Sequence, residues 1–113
     1  MKITFILKGD PFSWKAHEAF RVATALGVNH EVNFVFIRDG VYTLTRWSPE
    51  NLGVETFEKF YETLDFLNIN LIVEDASMQE RGLKETDFVK EVRVLSAEEI
   101  SDLINESEAV FVW

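Results

Sequence analysis

Leu71–Leu83 reads LIVEDASMQERGL, and the change of character halfway along it decides the fold. Leu71, Ile72 and Val73 are an unbroken apolar run, the pattern of a strand covered on both faces. Glu74 and Asp75 stop that run. Ala76–Arg81 continues as a short helical segment, and Gly82 closes it at a position where helices commonly end. A buried strand that leads straight into a helix is half of a parallel crossover unit. Ligands of open α/β sheets bind outside the carboxyl ends of the strands. Glu74 and Asp75 therefore mark the first place to look for a site.

The same alternation extends in both directions. Upstream, Ile3–Leu7 is an apolar run closed by Lys8-Gly9-Asp10-Pro11 and reads as strand one. Ser13–Leu26 follows as a helix, with Ala16, Ala19, Phe20, Ala23 and Leu26 at helical spacing and Gly27 as its C-cap. The small residues on that face let the helix lie close to a sheet. Val32–Ile37 is strand two, followed by Arg38-Asp39-Gly40, Val41-Tyr42-Thr43-Leu44 and a polar stretch through Trp47-Ser48-Pro49. Val54–Leu67 carries Phe57, Phe60, Tyr61, Leu64 and Leu67 on one helical face, and Ile69–Val73 is strand three. Downstream, Val89–Leu95 holds strand four around Val92-Arg93-Val94. Ser96-Ala97-Glu98-Glu99 is a capping box ahead of Ile100, Leu103 and Ile104, and Ala109–Trp113 is strand five.

These elements predict an α/β fold: a three-layer α/β/α sandwich around a five-stranded, mainly parallel sheet, with helices on both faces. Strand order does not follow from the pattern. The 113 residues, 47% of them apolar, are expected to form a single domain spanning 1–113. A net charge of −9, with 11 basic residues scattered among 20 acidic ones, argues against direct binding to a nucleic-acid backbone. No apolar run approaches the ~20 residues of a membrane span. MKITFILKGD has too short an apolar stretch for a signal peptide, so a soluble cytoplasmic protein is expected. With 0 cysteines, the polypeptide has no disulfide, no thiolate ligand and no thiol nucleophile of its own. His17 and His30 are not at a metal-ligand spacing, and no cofactor is expected.

Each candidate site has two readings. Gly9-Asp10-Pro11-Phe12-Ser13-Trp14 leads into a helix N-terminus, where anions bind. It lacks the glycine pattern of a dinucleotide loop or a P-loop, and a turn capped by Asp10 or Ser13 accounts for it. Asp10, Asp39 and Glu74-Asp75 all follow strands, and converging carboxylates there could hold Mg²⁺. Strand-end aspartates also cap turns, and no lysine follows strand five. Asp10, Asp39, Glu74 and Ser77 would line a strand-end pocket. His17 is expected to be a partly exposed helical residue; pairing it with Ser77 as a hydrolase rests on proximity alone. Trp14, Tyr42, Trp47 and Trp113 exceed what the core needs, and aromatics mark interfaces. Trp14 and Trp47 are the favoured interface candidates.

Two longer words carry a family resemblance. Phe36-Ile37-Arg38-Asp39-Gly40-Val41-Tyr42 resembles the Phe-Ile/Tyr-x-Asp/Glu-Gly-Val-Phe/Tyr segment of the DsrE/DsrF-like sulfur-relay family. Ala76–Leu83, ASMQERGL, resembles the ASLRERGL segment of its TusC/DsrF branch. Phe88-Val89 and the closing Leu103–Val112 also fall where that branch has them. The resemblance implies a subunit of a sulfur-transfer complex serving tRNA thiolation or sulfur oxidation, in a family that forms rings or hetero-oligomers of three paralogues. In the DsrE/TusD branch a cysteine at the end of strand three carries a persulfide, and its position here is Glu74. The resemblance thus implies a non-catalytic subunit, not an enzyme. Its partners would be cysteine-bearing DsrE/TusD-like and DsrH/TusB-like subunits, or itself as a homo-oligomer. Trp14, Tyr42, Trp47, Arg81 and Gly82 would lie near the interface. The competing reading is a homo-oligomeric domain that binds a small ligand or metal in the strand-end pocket.

Overall fold

The computed structural model describes residues 2–12, 14–45 and 58–113. β1 is Lys2–Leu7, α1 Trp14–Gly27, β2 Glu31–Phe36, α2 Glu58–Leu64 and β3 Ile69–Glu74. α3 is Asp75–Glu80, β4 Arg93–Leu95, α4 Ala97–Glu106 and β5 Ala109–Val112. Short 3₁₀ helices occupy Arg38–Leu44 and Glu85–Asp87. All five strands join one sheet in the order β4-β3-β2-β1-β5, and every neighbouring pair is parallel. The expected α/β architecture is present, and the structure supplies the order that sequence pattern does not.

The order explains the layering. From β1 to β4 the chain steps outward one strand at a time, and right-handed crossovers put the intervening helices on one face. From β4 it returns past β3, β2 and β1 to reach β5, so α4 lies on the other face. On the first face Phe5, Leu7, Phe34, Phe36 and Val73 pack with Ala16, Ala19, Phe20 and Ala23 of α1, Leu64 of α2 and Met78 of α3. On the second face Ile6, Val35 and Ile72 meet Ile100 of α4, flanked by Leu103 and Ile104. Alternation along each strand assigns neighbouring residues to opposite faces.

α1 sits close because the face it presents is small: Ala16, Ala19 and Ala23 are wholly buried. Gly27 is the last helical residue and lacks the left-handed backbone expected of a C-cap, since only Arg38 and Gly82 have positive φ among the described residues. A Cβ there would stand 2.9 Å from the Ile69 side chain, so close approach, not capping, favours glycine. Gly82 does cap. At φ +66 it lets its own N–H reach Gln79 O (3.0 Å) and Leu83 N–H reach Met78 O (3.0 Å), closing α3 as a Schellman motif. The Ser96–Glu99 capping box is also formed, with both bonds at 3.1 Å.

Three further expectations need correction. The second helix, read as Val54–Leu67, ends at Leu64: Phe66 and Leu67 turn back to Thr63 and Leu64 through i→i+3 bonds. Its first residues, 54–57, lie outside the described ones. β4 is Arg93–Leu95 and not Val89–Leu95, because Val89 N–H donates to Leu44 O at 2.7 Å and Phe88 bridges antiparallel to Thr45. His17 is buried, not partly exposed, with the rings of Trp14 and Phe60 within 6.3 Å of its own.

Candidate functional site

β3 and β4 are neighbours, yet the chain leaves β3 into α3 on the first face and leaves β4 into α4 on the second. The topological switch point of the sheet therefore lies between their carboxyl ends, where Glu74 pairs in register with Leu95. That is where an open α/β sheet leaves a crevice.

Glu74 is the last residue of β3 and immediately precedes α3, so Ser77 stands one turn into that helix. Ser77 donates its hydroxyl hydrogen to Glu74 Oε1, and its oxygen accepts the Arg38 backbone N–H at 2.8 Å. One buried hydroxyl thus joins the ends of β3 and β2. Arg38 holds φ at 50, a left-handed value that a side chain other than glycine adopts at a cost. Its bond to Ser77 helps to offset that cost.

Two residues on, Gly40 packs against β1. A Cβ at Gly40 would lie 2.1 Å from the Leu7 carbonyl oxygen, a contact with backbone that no rotamer relieves. Leu7 O already accepts the Ile37 N–H at 3.1 Å. The turn out of β2 is consequently pressed onto the end of β1, which places Asp39 beside α3.

Arg81 completes the group. Its Nε and Nη2 both donate to Asp39 Oδ1, at 3.1 and 2.9 Å, and its Nη1 donates to the Ser77 carbonyl at 3.1 Å. The Arg81 side chain is 19% exposed against 57% for Asp39, so the guanidinium is largely sheltered by the cluster it holds. The structure therefore brings together Asp39, Glu74, Ser77 and Arg81, with Arg38 contributing its backbone.

Asp10 is bonded within its own loop: Oδ1 accepts the Phe12 N–H at 2.9 Å in an Asx turn. Among the described residues, no group of three or more His, Asp or Glu side chains could hold a metal ion. Ser77 is 3% exposed, and its proton is committed to Glu74. His17, its suggested partner, packs instead against Trp14 and Phe60.

The interface candidates fall in different settings. Trp14 is 79% exposed at the start of α1, and Gly82 is exposed at the end of α3. Tyr42 is half-buried, and its carbonyl accepts both the N–H (3.1 Å) and the hydroxyl (2.6 Å) of Thr45. Trp47 lies outside the described residues. Two contributors to the site are backbone features. The Arg38 amide carries no side-chain signal, whereas the glycine in Arg38-Asp39-Gly40 was a visible sign of tight backbone approach.

Tyr61 braces the same turn from α2, donating its hydroxyl to the Thr43 carbonyl at 2.5 Å. Burial pushes its phenol well above the ordinary value of 10. The hydroxyl therefore keeps its proton through the physiological range and remains able to donate.

Comparison with known proteins adds the following. The DsrE/DsrF-like family model matches residues 1–113. The intracellular sulfur oxidation protein DsrF of Allochromatium vinosum is 31% identical over 119 residues, covering 91% of this chain and 86% of that protein. Protein TusC of Buchnera aphidicola is 30% identical over 86 residues, covering 74% of this chain and 72% of that one. The crystal structure of the ychN protein from E. coli superposes with a TM-score of 0.86 at 19% identity, covering 100% of this chain and 99% of that one. MTH1491 from Methanobacterium thermoautotrophicum follows with a TM-score of 0.73 at 16% identity, covering 99% and 98%. At those identities the two structures speak for the fold alone.

Proposed function

The chain belongs to the DsrE/DsrF-like family, and from that premise we propose that it is a non-catalytic, TusC/DsrF-type subunit of a sulfur-relay complex. The relatives named for intracellular sulfur oxidation and as TusC support a relay role in sulfur oxidation or tRNA thiolation. In this reading residues 1–113 act as one domain in the cytoplasm. Sulfur is carried by a cysteine-bearing DsrE/TusD-like partner, and a DsrH/TusB-like subunit completes the assembly.

The observation that carries the reading is the strand-three end. Where the resemblance places a sulfur-carrying cysteine, this chain has Glu74, and the polypeptide contains 0 cysteines. A carboxylate cannot form a persulfide. Glu74 accepts the Ser77 hydroxyl, which itself holds Arg38, so the position serves as a tie between β2 and β3. The same commitments speak against a small-ligand pocket, because Asp39, Glu74, Ser77 and Arg81 are already engaged with one another.

Co-expression tests the reading. The expected outcome is that the tagged chain captures a DsrE/TusD-like and a DsrH/TusB-like subunit in fixed stoichiometry. In a reconstituted relay, labelled sulfur should load the partner's cysteine and leave this chain unlabelled. Failure to retain either partner at micromolar concentration would sink the proposal.

A further inference from the structure

Asp39 is the only aspartate or asparagine in the chain that a glycine follows. Glycine has no Cβ to keep its nitrogen away from the preceding side chain, so this junction is open to an internal reaction. The Gly40 nitrogen bonds to Asp39 Cγ, the Cγ–OH bond breaks, and the amide hydrogen leaves with that hydroxyl as water. A five-membered succinimide results. Water then adds at either ring carbonyl. Addition at Cγ restores aspartate, whereas addition at the former main-chain carbonyl leaves isoaspartate, with the chain running through Cβ and Cγ. Water lost is water regained, and nothing is oxidised or reduced.

The Asp39 side chain is 57% exposed, so water is not what the fold withholds. Two bonds hold the reacting groups apart. Gly40 N–H donates to Ile37 O at 2.9 Å, which commits the nucleophile to the turn. Asp39 Oδ1 accepts Arg81 Nε and Nη2, and the guanidinium is anchored in turn on the Ser77 carbonyl. Ring closure also needs the Gly40 nitrogen to eclipse Asp39 Cβ. Asp39 lies within the 3₁₀ helix Arg38–Leu44, where a ψ of about −25° keeps the two apart.

We propose that Asp39-Gly40 is a latent isomerisation site, latched by Arg81 and by the Gly40–Ile37 bond, and that isoaspartate forms there only when this turn opens. The reaction needs both partners released and aligned at once. The product cannot return to the closed turn. Isoaspartate adds a methylene to the main chain where even a Cβ on Gly40 would stand 2.1 Å from Leu7 O. It also shortens by one carbon the side chain that reaches Arg81. Isomerisation is therefore a one-way release of the turn after β2 from α3.

Asp75-Ala76 is the junction to set beside it. There Ala76 N–H donates to Asp75 Oδ1 at 2.6 Å, so nitrogen and carboxyl are already neighbours. Ala76, however, carries a methyl group that crowds ring closure, and it sits in the first turn of α3. Asp75 has proximity without glycine, and Asp39 has glycine without proximity. Releasing the latch changes the second case and leaves the first as it was, which makes Asp75 an internal reference.

Ageing the purified chain at neutral pH and body temperature tests this, with peptide mapping by electron-transfer fragmentation to separate isoaspartate from aspartate. A synthetic peptide of Ile37–Tyr42 supplies the unlatched rate. The folded chain is expected to react at Asp39 at least about tenfold more slowly than that peptide, because ring closure waits for local opening. Arg81→Ala should raise the Asp39 rate about threefold or more and leave Asp75 unchanged. Arg81→Lys, which keeps the charge without the fork, should fall between. Aged wild type should melt below fresh protein. Should Arg81→Ala fail to fold, wild type in sub-denaturing urea decides, because isomerisation must then rise in step with amide exchange at Gly40. Equal rates in chain and peptide, an Arg81→Ala rate equal to wild type, isomerisation indifferent to Gly40 exchange, or an aged chain that melts like a fresh one would each overturn the proposal. The isolated chain suffices for every measurement, so the outcome is independent of partner capture and of the relay reading.

Discussion

Under α1, α2 and α3 the sheet carries a bed of aromatic rings, whereas on its other side Ile6, Val35 and Ile72 meet α4 alone. On the first face Phe34 stacks on Phe36 at 4.5 Å and lies 5.0 Å from Phe20, and none of the three is accessible to solvent. The second face mixes apolar contacts with polar pairs: Asn70 Nδ2 donates to Asn33 Oδ1 at 3.0 Å, and the Thr4 and Ser107 hydroxyls are bonded to each other. Large buried rings contribute most of the favourable area, and polar pairs little beyond satisfying each other. The first face therefore supplies stability. The second face, covered by α4 alone, supplies less.

Substitution in the two cores is the hardest test of that division. Phe34→Ala is expected to cost about 3–5 kcal/mol, the usual penalty for emptying a buried aromatic site. Ile100→Ala, which loosens α4, is expected to cost about 2 kcal/mol, at the low end for aliphatic truncation because the neighbouring Leu103 and Ile104 are only half-buried. Urea unfolding of both variants gives the comparison directly. Equal costs would break it.

Gly40→Ala comes next in size, and it probes where the first face meets the strand ends. The new methyl would lie 2.1 Å from Leu7 O, and only movement of the backbone can relieve that. A cost of about 3 kcal/mol is expected, at the upper end of ordinary overpacking. The turn would also be displaced from α3, so the Arg81–Asp39 ion pair should weaken with it. A variant as stable as the wild type would show that the turn yields freely and that the strand-end cluster is not anchored through β1.

Ser77→Ala isolates the cluster itself. It leaves the Arg38 N–H and the Glu74 carboxylate each short of a partner, and unpaired groups at a partly buried site cost about 1–3 kcal/mol. Around 2 kcal/mol is expected. Ser77→Thr, which keeps the hydroxyl, should recover part of it. If Ser77→Ala cost nothing measurable, the left-handed turn at Arg38 would be held by Gly40 and Arg81 alone.

What could be read in advance follows from the range of the forces involved. β1, β2, β3 and β5 and the capping box of α4 are local patterns, and they were legible to within a residue or two. The span Val89–Leu95 overextends β4 because Val89 looks like a strand residue; only the fold shows that Leu44 claims its backbone N–H. At the site, Glu74, Ser77 and Arg81 lie three to four residues apart on one short stretch, so their clustering could be expected. Asp39 reaches them only through Arg81, across a gap no local pattern reveals. The Arg38 amide was invisible in principle, because glycine, asparagine or aspartate is the usual occupant of a left-handed position.

Tyr61 provides the smallest test and the one that depends on pH. It lies at the rim of the aromatic face, 6.1 Å from Phe20 between ring centroids, with its hydroxyl on the Thr43 carbonyl. Tyr61→Phe keeps the ring and removes the hydrogen bond, for an expected cost of about 1 kcal/mol at neutral pH. Burial raises the phenol above 10 in the folded chain, whereas the unfolded chain loses that proton near 10. Above that pH the folded state binds the extra proton, so the stability this group contributes is complete below pH 10 and falls as pH rises through and beyond it. Phenylalanine cannot titrate. The gap between wild type and Tyr61→Phe should therefore narrow as urea midpoints are followed from pH 8 into the alkaline range. A constant gap would mean that the Tyr61 hydroxyl titrates alike in both states, and that the aromatic face is open to water at the rim where it supports the strand-end cluster.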